Sequence, residues 1–233
     1  MFRDTLRWGL LGRNPCDAVN PPKVTKPELR VLTPEEARRF LAAVAGHRLE
    51  ALFTLALTTG MRQGELLGLK WQDVDLEMGV VRVRRALQRL RRVGFVEVEP
   101  KSATSRRAAR LVPLAVTALR RHRARQLEER LQAGTAWEDR DLVFCTEHGR
   151  PLTHTTVLRA FWRLLDEAQL PRIRFHDLRH STATLLLAQG THPKIVQELL
   201  GHSSISLTLD TYSHVLPHLQ LEATARLQQL LEG

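Results

Sequence analysis

Four short stretches hold the side chains able to do chemistry. The first, Thr59-Gly60-Met61-Arg62-Gln63-Gly64-Glu65-Leu66, sets an arginine between two glycines where one helix ends and another begins. A helix start adds its own N–H groups and positive dipole end, so Arg62 can be presented to an anion there. Glu65, three residues on, can orient it; the plain alternative is a surface arginine in a glycine-bounded turn. The second, Pro100-Lys101-Ser102-Ala103-Thr104-Ser105-Arg106-Arg107, carries Lys101 out of a strand onto a cationic hairpin tip suited to a phosphate or a groove, or to plain solvation. The third, His176-Asp177-Leu178-Arg179-His180, spaces its cationic groups for one helix face, which suits anion binding and proton transfer. His176 and His180 also have a spacing that a zinc ion accepts, but the residue after the first His is Asp rather than Glu, and Arg179 would place a cation beside the metal. A pair of hydrogen-bonded structural histidines is the other alternative. The fourth joins Gly201-His202 to Thr211-Tyr212-Ser213-His214, and Tyr212 is the single tyrosine of the chain.

Taken together these residues are two arginines, a lysine and two or three histidines around one hydroxyl. Neither a carboxylate cluster for two metals nor a nucleotide-binding glycine loop accompanies them. This inventory fits phosphoryl transfer in which cations neutralise the non-bridging oxygens and tyrosine forms the covalent bond. An ATPase and a metal-dependent nuclease are disfavoured.

The elements that must hold these residues follow from periodicity. Residues 1–20 read as a short helix and a turn at Gly12-Arg13-Asn14-Pro15, and residues 21–30, with three prolines, as a linker. Thr33, Pro34 and Glu36 form a capping-box pattern for a helix through Phe40, Leu41 and Val44, and a second helix runs from Leu49 to Gly60. Alternation at Val81 and Val83, at Val96 and Val98, and a third run ending at Leu111 and Val112 predict a small three-stranded antiparallel sheet. Turn-like breaks fall at 77–79, 91–94 and 102–105. Further helices are expected after Leu114, with Leu119, Leu127 and Leu131 on one stripe, and over 155–168, 177–189, 194–200 and 217–231. The fold class is α+β, mainly α: a helical bundle with a small sheet.

Composition sets the setting. The chain has 233 residues and a formal net charge of +10. Residues 82–130 hold 15 basic and 4 acidic groups, so the whole excess sits in that segment. Such a concentration on a folded chain usually faces a polyanion, with nucleic acid the leading partner and a solvated, self-repelling surface the plain alternative. Cys16 and Cys145 form no metal-ligand or disulfide pattern, no apolar run reaches membrane-spanning length and no leader segment is read. The expected location is therefore the cytoplasm.

In their order and spacing, the motifs TGMRQGEL, EPKSATSRR, HDLRH, LGH and DTYSH resemble the tyrosine recombinase, or phage integrase, family, from Val31 to Val215. The resemblance implies six catalytic positions: Arg62, Lys101, His176, Arg179, His202 and Tyr212. It implies that Tyr212 attacks a DNA phosphate to form a 3′-phosphotyrosine, that Arg62, Arg179 and His202 bind the non-bridging oxygens, that Lys101 protonates the leaving 5′ oxygen and that His176 assists proton transfer. Glu65 takes a structural role and His180 a packing role. The function implied is site-specific recombination or integration for a phage or other mobile element, without metal, nucleotide or other cofactor. The implied setting is bacterial or phage-encoded, on nucleoid DNA, with self-association on DNA as a tetramer. Residues 31–233 would be the catalytic domain, with helix 217–231 docking in cis or on a neighbour, and residues 1–20 the remnant of an N-terminal core-binding domain. The rivals are a truncated DNA-binding module lacking recombination activity, and a topoisomerase of type IB chemistry.

Overall fold

The computed structural model describes residues 2–20, 30–99, 106–201, 204–205, 224 and 228–232. Residues 21–29 of the expected linker, Lys101, His202, Tyr212 and most of the expected helix 217–231 lie outside the described residues; within that helix, residues 224 and 228–231 are described and helical.

A short helix α1 (Phe2–Arg7) and a 3-10 turn (Pro15–Ala18) come first, with Asn14 capping the turn. Helix α2 (Pro34–Val44) starts on the expected capping box: the Thr33 hydroxyl accepts from the Glu36 N–H, and the Glu36 carboxylate accepts from the Thr33 N–H. Helix α3 (Glu50–Thr59) is apolar on nearly every side, and a helix of that kind belongs in the middle of a domain. Ala51 through Leu57 are buried, with α2, α5 (Pro113–Ala133) and α7 (Asp177–Ala188) packed around them. Phe53 of α3 meets Phe40 of α2, Phe161 of α6 (His154–Glu167) and Phe175, with ring centroids 5.8 to 6.3 Å apart. Helix α8 (Pro193–Leu200) closes on α7.

The β structure differs from the expected single sheet. Strands β1 (Val74–Asp75), β2 (Val80–Val83) and β5 (Arg107–Arg110) form the three-stranded antiparallel sheet, in the order β1-β2-β5. The run containing Val96 and Val98 is β4 (Gly94–Val98), and it pairs instead with β3 (Ala86–Leu90) as a separate hairpin. The third expected run ends earlier, at Arg110 rather than at Leu111 and Val112. The hairpin docks because Gly68, just after α4 (Gln63–Leu67), lets two backbones meet: a Cβ there would stand 2.9 Å from the Leu87 nitrogen. Ion pairs then hold it, Lys70 to Glu97 at 2.7 Å and Arg85 to both Asp73 and Glu97.

The expected apolar stripe on α5 holds only at Leu119. Leu127 and Leu131 are exposed, and the buried face is Ala115, Ala118, Leu119, His122 and Gln126. The reason is polar. Gln126 Nε2 donates to the carbonyls of Leu142 and Val143, and His122 Nε2 lies 2.6 Å from the Val143 carbonyl. These bonds satisfy carbonyls of a buried loop that the backbone around Leu69 and Trp71 pairs only in part.

Burial pushes the His122 pKa down to about 4, with the positive charge of Arg125 acting in the same direction. Its folded-state pKa lies below the unfolded value, so its contribution is fully present above about pH 6.5 and is lost as pH falls towards 4. We expect urea unfolding to show roughly 3 kcal/mol of acid-labile stability from this residue between pH 7.5 and 4. His122→Gln should flatten that slope; an unchanged slope would refute the assignment.

Candidate active site

The site is built around the end of α3. Gly60 caps that helix in the left-handed region, at φ +62°, and donates its N–H to the Ala56 carbonyl. A Cβ on Gly60 would lie 2.4 Å from Leu200 Cδ2 and 3.5 Å from Arg179 Cγ. Leu200 is fully buried, so it has little room to yield. Gly60→Ala should therefore cost about 3 kcal/mol, from the left-handed backbone and the clash together. A thermal melt checks this, and trimming the neighbour with Leu200→Val should make the pair of substitutions less costly than their sum.

Arg179 crosses from α7 to this turn. Its guanidinium is buried and donates from Nη1 to the Gly60 carbonyl at 2.8 Å. Two hydroxyls brace the same helix. Thr182 donates to the Leu57 carbonyl at 2.7 Å, and Ser181 accepts from the Leu32 N–H at 2.8 Å. The first turn of α7 is fixed by buried Asp177, which accepts from the backbone N–H and the guanidinium of Arg174.

Arg62 stands at the N-cap of α4, two residues beyond Gly60. Its N–H donates to Glu65 Oε2 and its Nη1 to Glu65 Oε1, both at 2.9 Å. Glu65 is buried, whereas the Arg62 side chain remains 41% exposed. Glu65 thus orients Arg62 and leaves part of its fork open. Burial alone would raise the Glu65 pKa, but the hydrogen bonds and charges of Arg107 and Arg62 outweigh it and hold the carboxyl below its ordinary value.

His176 precedes α7 and is exposed, and its ring meets that of His180 edge-on with centroids 4.9 Å apart. Partial desolvation, with the positive charges of Arg179 and Arg62, holds the His176 pKa below the usual histidine range. Desolvation and the neighbouring His176 push His180 down to about 4. Both rings are therefore neutral near pH 7. Among the described residues no three His, Cys, Asp or Glu side chains gather as metal ligands.

Of the six expected site residues, Arg62, His176 and Arg179 lie within the described residues, and the structure brings them together. Lys101, His202 and Tyr212 lie outside them. One residue at the site carried no assignment in the sequence. Arg107 donates from Nη1 and Nη2 to both oxygens of Glu65, at 3.2 and 2.8 Å, and its side chain is only 5% exposed. Its Nε donates to the Leu199 carbonyl at 2.6 Å. The signal that finds it is strand phase: Arg107 pairs with Val83 and shares the inward face of β5 with buried Ala109.

Beside this site a cleft of about 730 Å³ opens between the two sheets, with Arg82, Arg84, Arg85 and Arg106 on its walls together with Glu97 and Glu99. No helix among the described residues is long and apolar enough to cross a membrane.

The phage integrase family model matches residues 30–218. A XerC-like tyrosine recombinase of Caldanaerobacter subterraneus subsp. tengcongensis is 37% identical over 98% of this chain and 63% of its own length. The ICEBs1 integrase of Bacillus subtilis is 30% identical, over 99% of this chain and 63% of its own. This chain therefore spans a little under two thirds of those relatives. Among solved structures, the Tn1549 transposon integrase in complex with transposon right end DNA aligns at a TM-score of 0.75 and 25% identity, over 94% of this chain and 73% of that one. The XerA recombinase aligns at 0.66 and 25% identity, over 88% and 67%. With the family model matching most of its length and the fold shared with these recombinases, the chain belongs to the phage integrase family.

Proposed function

We propose that this protein is a site-specific DNA recombinase or integrase of a mobile element, cutting and rejoining double-stranded DNA through a 3′-phosphotyrosine. The observation that carries the reading is the placement of Arg62 and Arg179 at the Gly60 turn, with His176 near enough for both of their charges to act on its ring. Two guanidiniums there suit the non-bridging oxygens of one phosphate, where charge builds in the transition state. In this reading the Tyr212 oxygen attacks phosphorus, its proton passing to His176, whose depressed pKa keeps it able to accept. The bond to the 5′ oxygen breaks, and Lys101 supplies that oxygen with a proton. His202 adds a third donor to the phosphate. A partner strand's 5′-hydroxyl then attacks the phosphotyrosine and releases Tyr212. The phosphodiester energy is kept in the intermediate, so the exchange needs no nucleotide.

The cationic strands flank the duplex in this reading, and the active assembly is a tetramer on DNA in the bacterial cytoplasm. The test uses a pool of nicked duplexes of random sequence, in which the short 5′ fragment diffuses away after cleavage and traps the protein on its DNA. A covalent adduct on a denaturing gel, with peptide mapping to Tyr212, is the expected result. Binding without any adduct would instead favour a DNA-binding module that does not recombine.

A further inference from the structure

Glu65 has two guanidiniums on it, and they are not equivalent. Arg107 is buried, meets both carboxylate oxygens, and is anchored a third time on the Leu199 carbonyl near the end of α8. Arg62 is half-open to solvent and reaches Glu65 with Nη1 alone, its second bond to that carboxylate coming from the backbone. One negative charge therefore sits between two positive ones, leaving a net charge of one cation on the exposed side. We propose that Arg107 is a positioning residue that takes up the charge of Glu65, so that Arg62 keeps its own for the DNA phosphate. This rests on the reading of Arg62 as a phosphate ligand given above.

The physical argument is one of counting and access. A buried carboxylate must be paired, because leaving it alone in a low-dielectric interior is costly. With Arg107 gone, the remaining cation in contact would be Arg62, which would turn its fork onto Glu65 and form a neutral pair. The phosphate would then meet a side chain whose charge is already spent. Arg107 also ties three stretches of chain into one corner: the start of β5, which follows the segment of Lys101; α4, which carries Glu65; and the end of α8, which leads to His202. Its position on the inward face of β5 makes this possible, because the adjacent Arg106 is exposed and pairs with Glu99.

The test is a double-mutant cycle read as the rate of adduct formation on the nicked-duplex pool. Arg107→Met should slow the wild-type protein by about 10²-fold, the scale for losing one charged donor at a phosphate. In a Glu65→Gln background the same change should cost no more than about fivefold, since no carboxylate remains to capture Arg62. A merely structural Arg107 would give the same loss in both backgrounds, and that result overturns the proposal. The double variant lacks the lone buried charge, so it remains informative if Arg107→Met alone melts below the assay temperature: a folded double variant more than tenfold slower than Glu65→Gln also overturns it. A wild-type protein that forms no adduct removes the parent reading and this inference together, whereas a wild-type adduct with an unaffected Arg107→Met removes the inference alone.

Discussion

Tyr212→Phe is expected to abolish the covalent adduct while leaving duplex binding nearly intact. The substitution removes one oxygen and keeps the ring. Loss of a nucleophile from a residue set that acts as a unit lowers rates by on the order of 10⁴ or more. No other tyrosine exists in the chain to substitute for it. Binding draws on many cations, and one hydroxyl contributes about 1 kcal/mol, a factor of about five in affinity. The two readouts should therefore separate by three orders of magnitude: no adduct on the denaturing gel, and a near-normal shift on a native gel. An adduct that persists in Tyr212→Phe would mean that another side chain attacks, and the proposed chemistry would fall. The hydroxyl of a free tyrosine ionises near pH 10, so wild-type cleavage should also quicken as pH rises from 6 to 9.

Arg179→Gln carries the second-largest expected loss. Arg179 differs from Arg62 in being buried and in holding the Gly60 carbonyl at the turn that leads to Arg62. In the proposed mechanism its removal takes away a donor to the phosphate, and it loosens the support of the turn that leads to Arg62. One such donor is worth about 10² to 10³ in rate, so the combined loss should reach roughly 10³ or more. Arg62→Gln and Arg179→Gln together should then cost clearly less than the product of the single effects, because the second change removes what the first has already displaced. Arg179→Lys should recover little, since a point charge cannot both bond to the carbonyl and present a planar fork. Single-turnover cleavage of the nicked duplex measures all four proteins; fully multiplicative effects would show that the two arginines act independently.

Much of this is legible in the sequence alone, where the signal is local. The Thr33–Glu36 box, the stop of α3 at Gly60 and the stop of α8 at Gly201 are set by capping groups and left-handed glycines. The pairing of strands is different. The β3 segment Ala-Leu-Gln-Arg-Leu buries only Leu87 well, so no alternation marks it, and which run pairs with β4 depends on the docking of Gly68 rather than on the run itself. The α5 stripe failed for a related reason: His122 and Gln126 are polar in the sequence but are buried by carbonyls some sixteen to twenty-one residues downstream. Arg107 stood beside Arg106 in a motif where either could have been the solvated one. Only the register with β2 separates them. The grouping of Arg62 with Arg179 and His176 is what the family resemblance implies; in the fold Arg179 bonds to the turn two residues before Arg62, a contact no local pattern encodes.

The bond from Arg179 to the Gly60 carbonyl joins residues 119 positions apart, and that from Arg107 to Glu65 joins residues 42 apart. Both pairs are far from local, so neither contact can form until the intervening chain has packed. On the proposed function, in which the protein opens the DNA backbone, this long-range wiring works as a safety interlock. A nascent chain still leaving the ribosome, or a proteolytic fragment ending before α7, holds Arg62 without the Arg179 that braces its turn. On that reading cutting capacity appears only with the finished fold, and incomplete copies would not nick DNA.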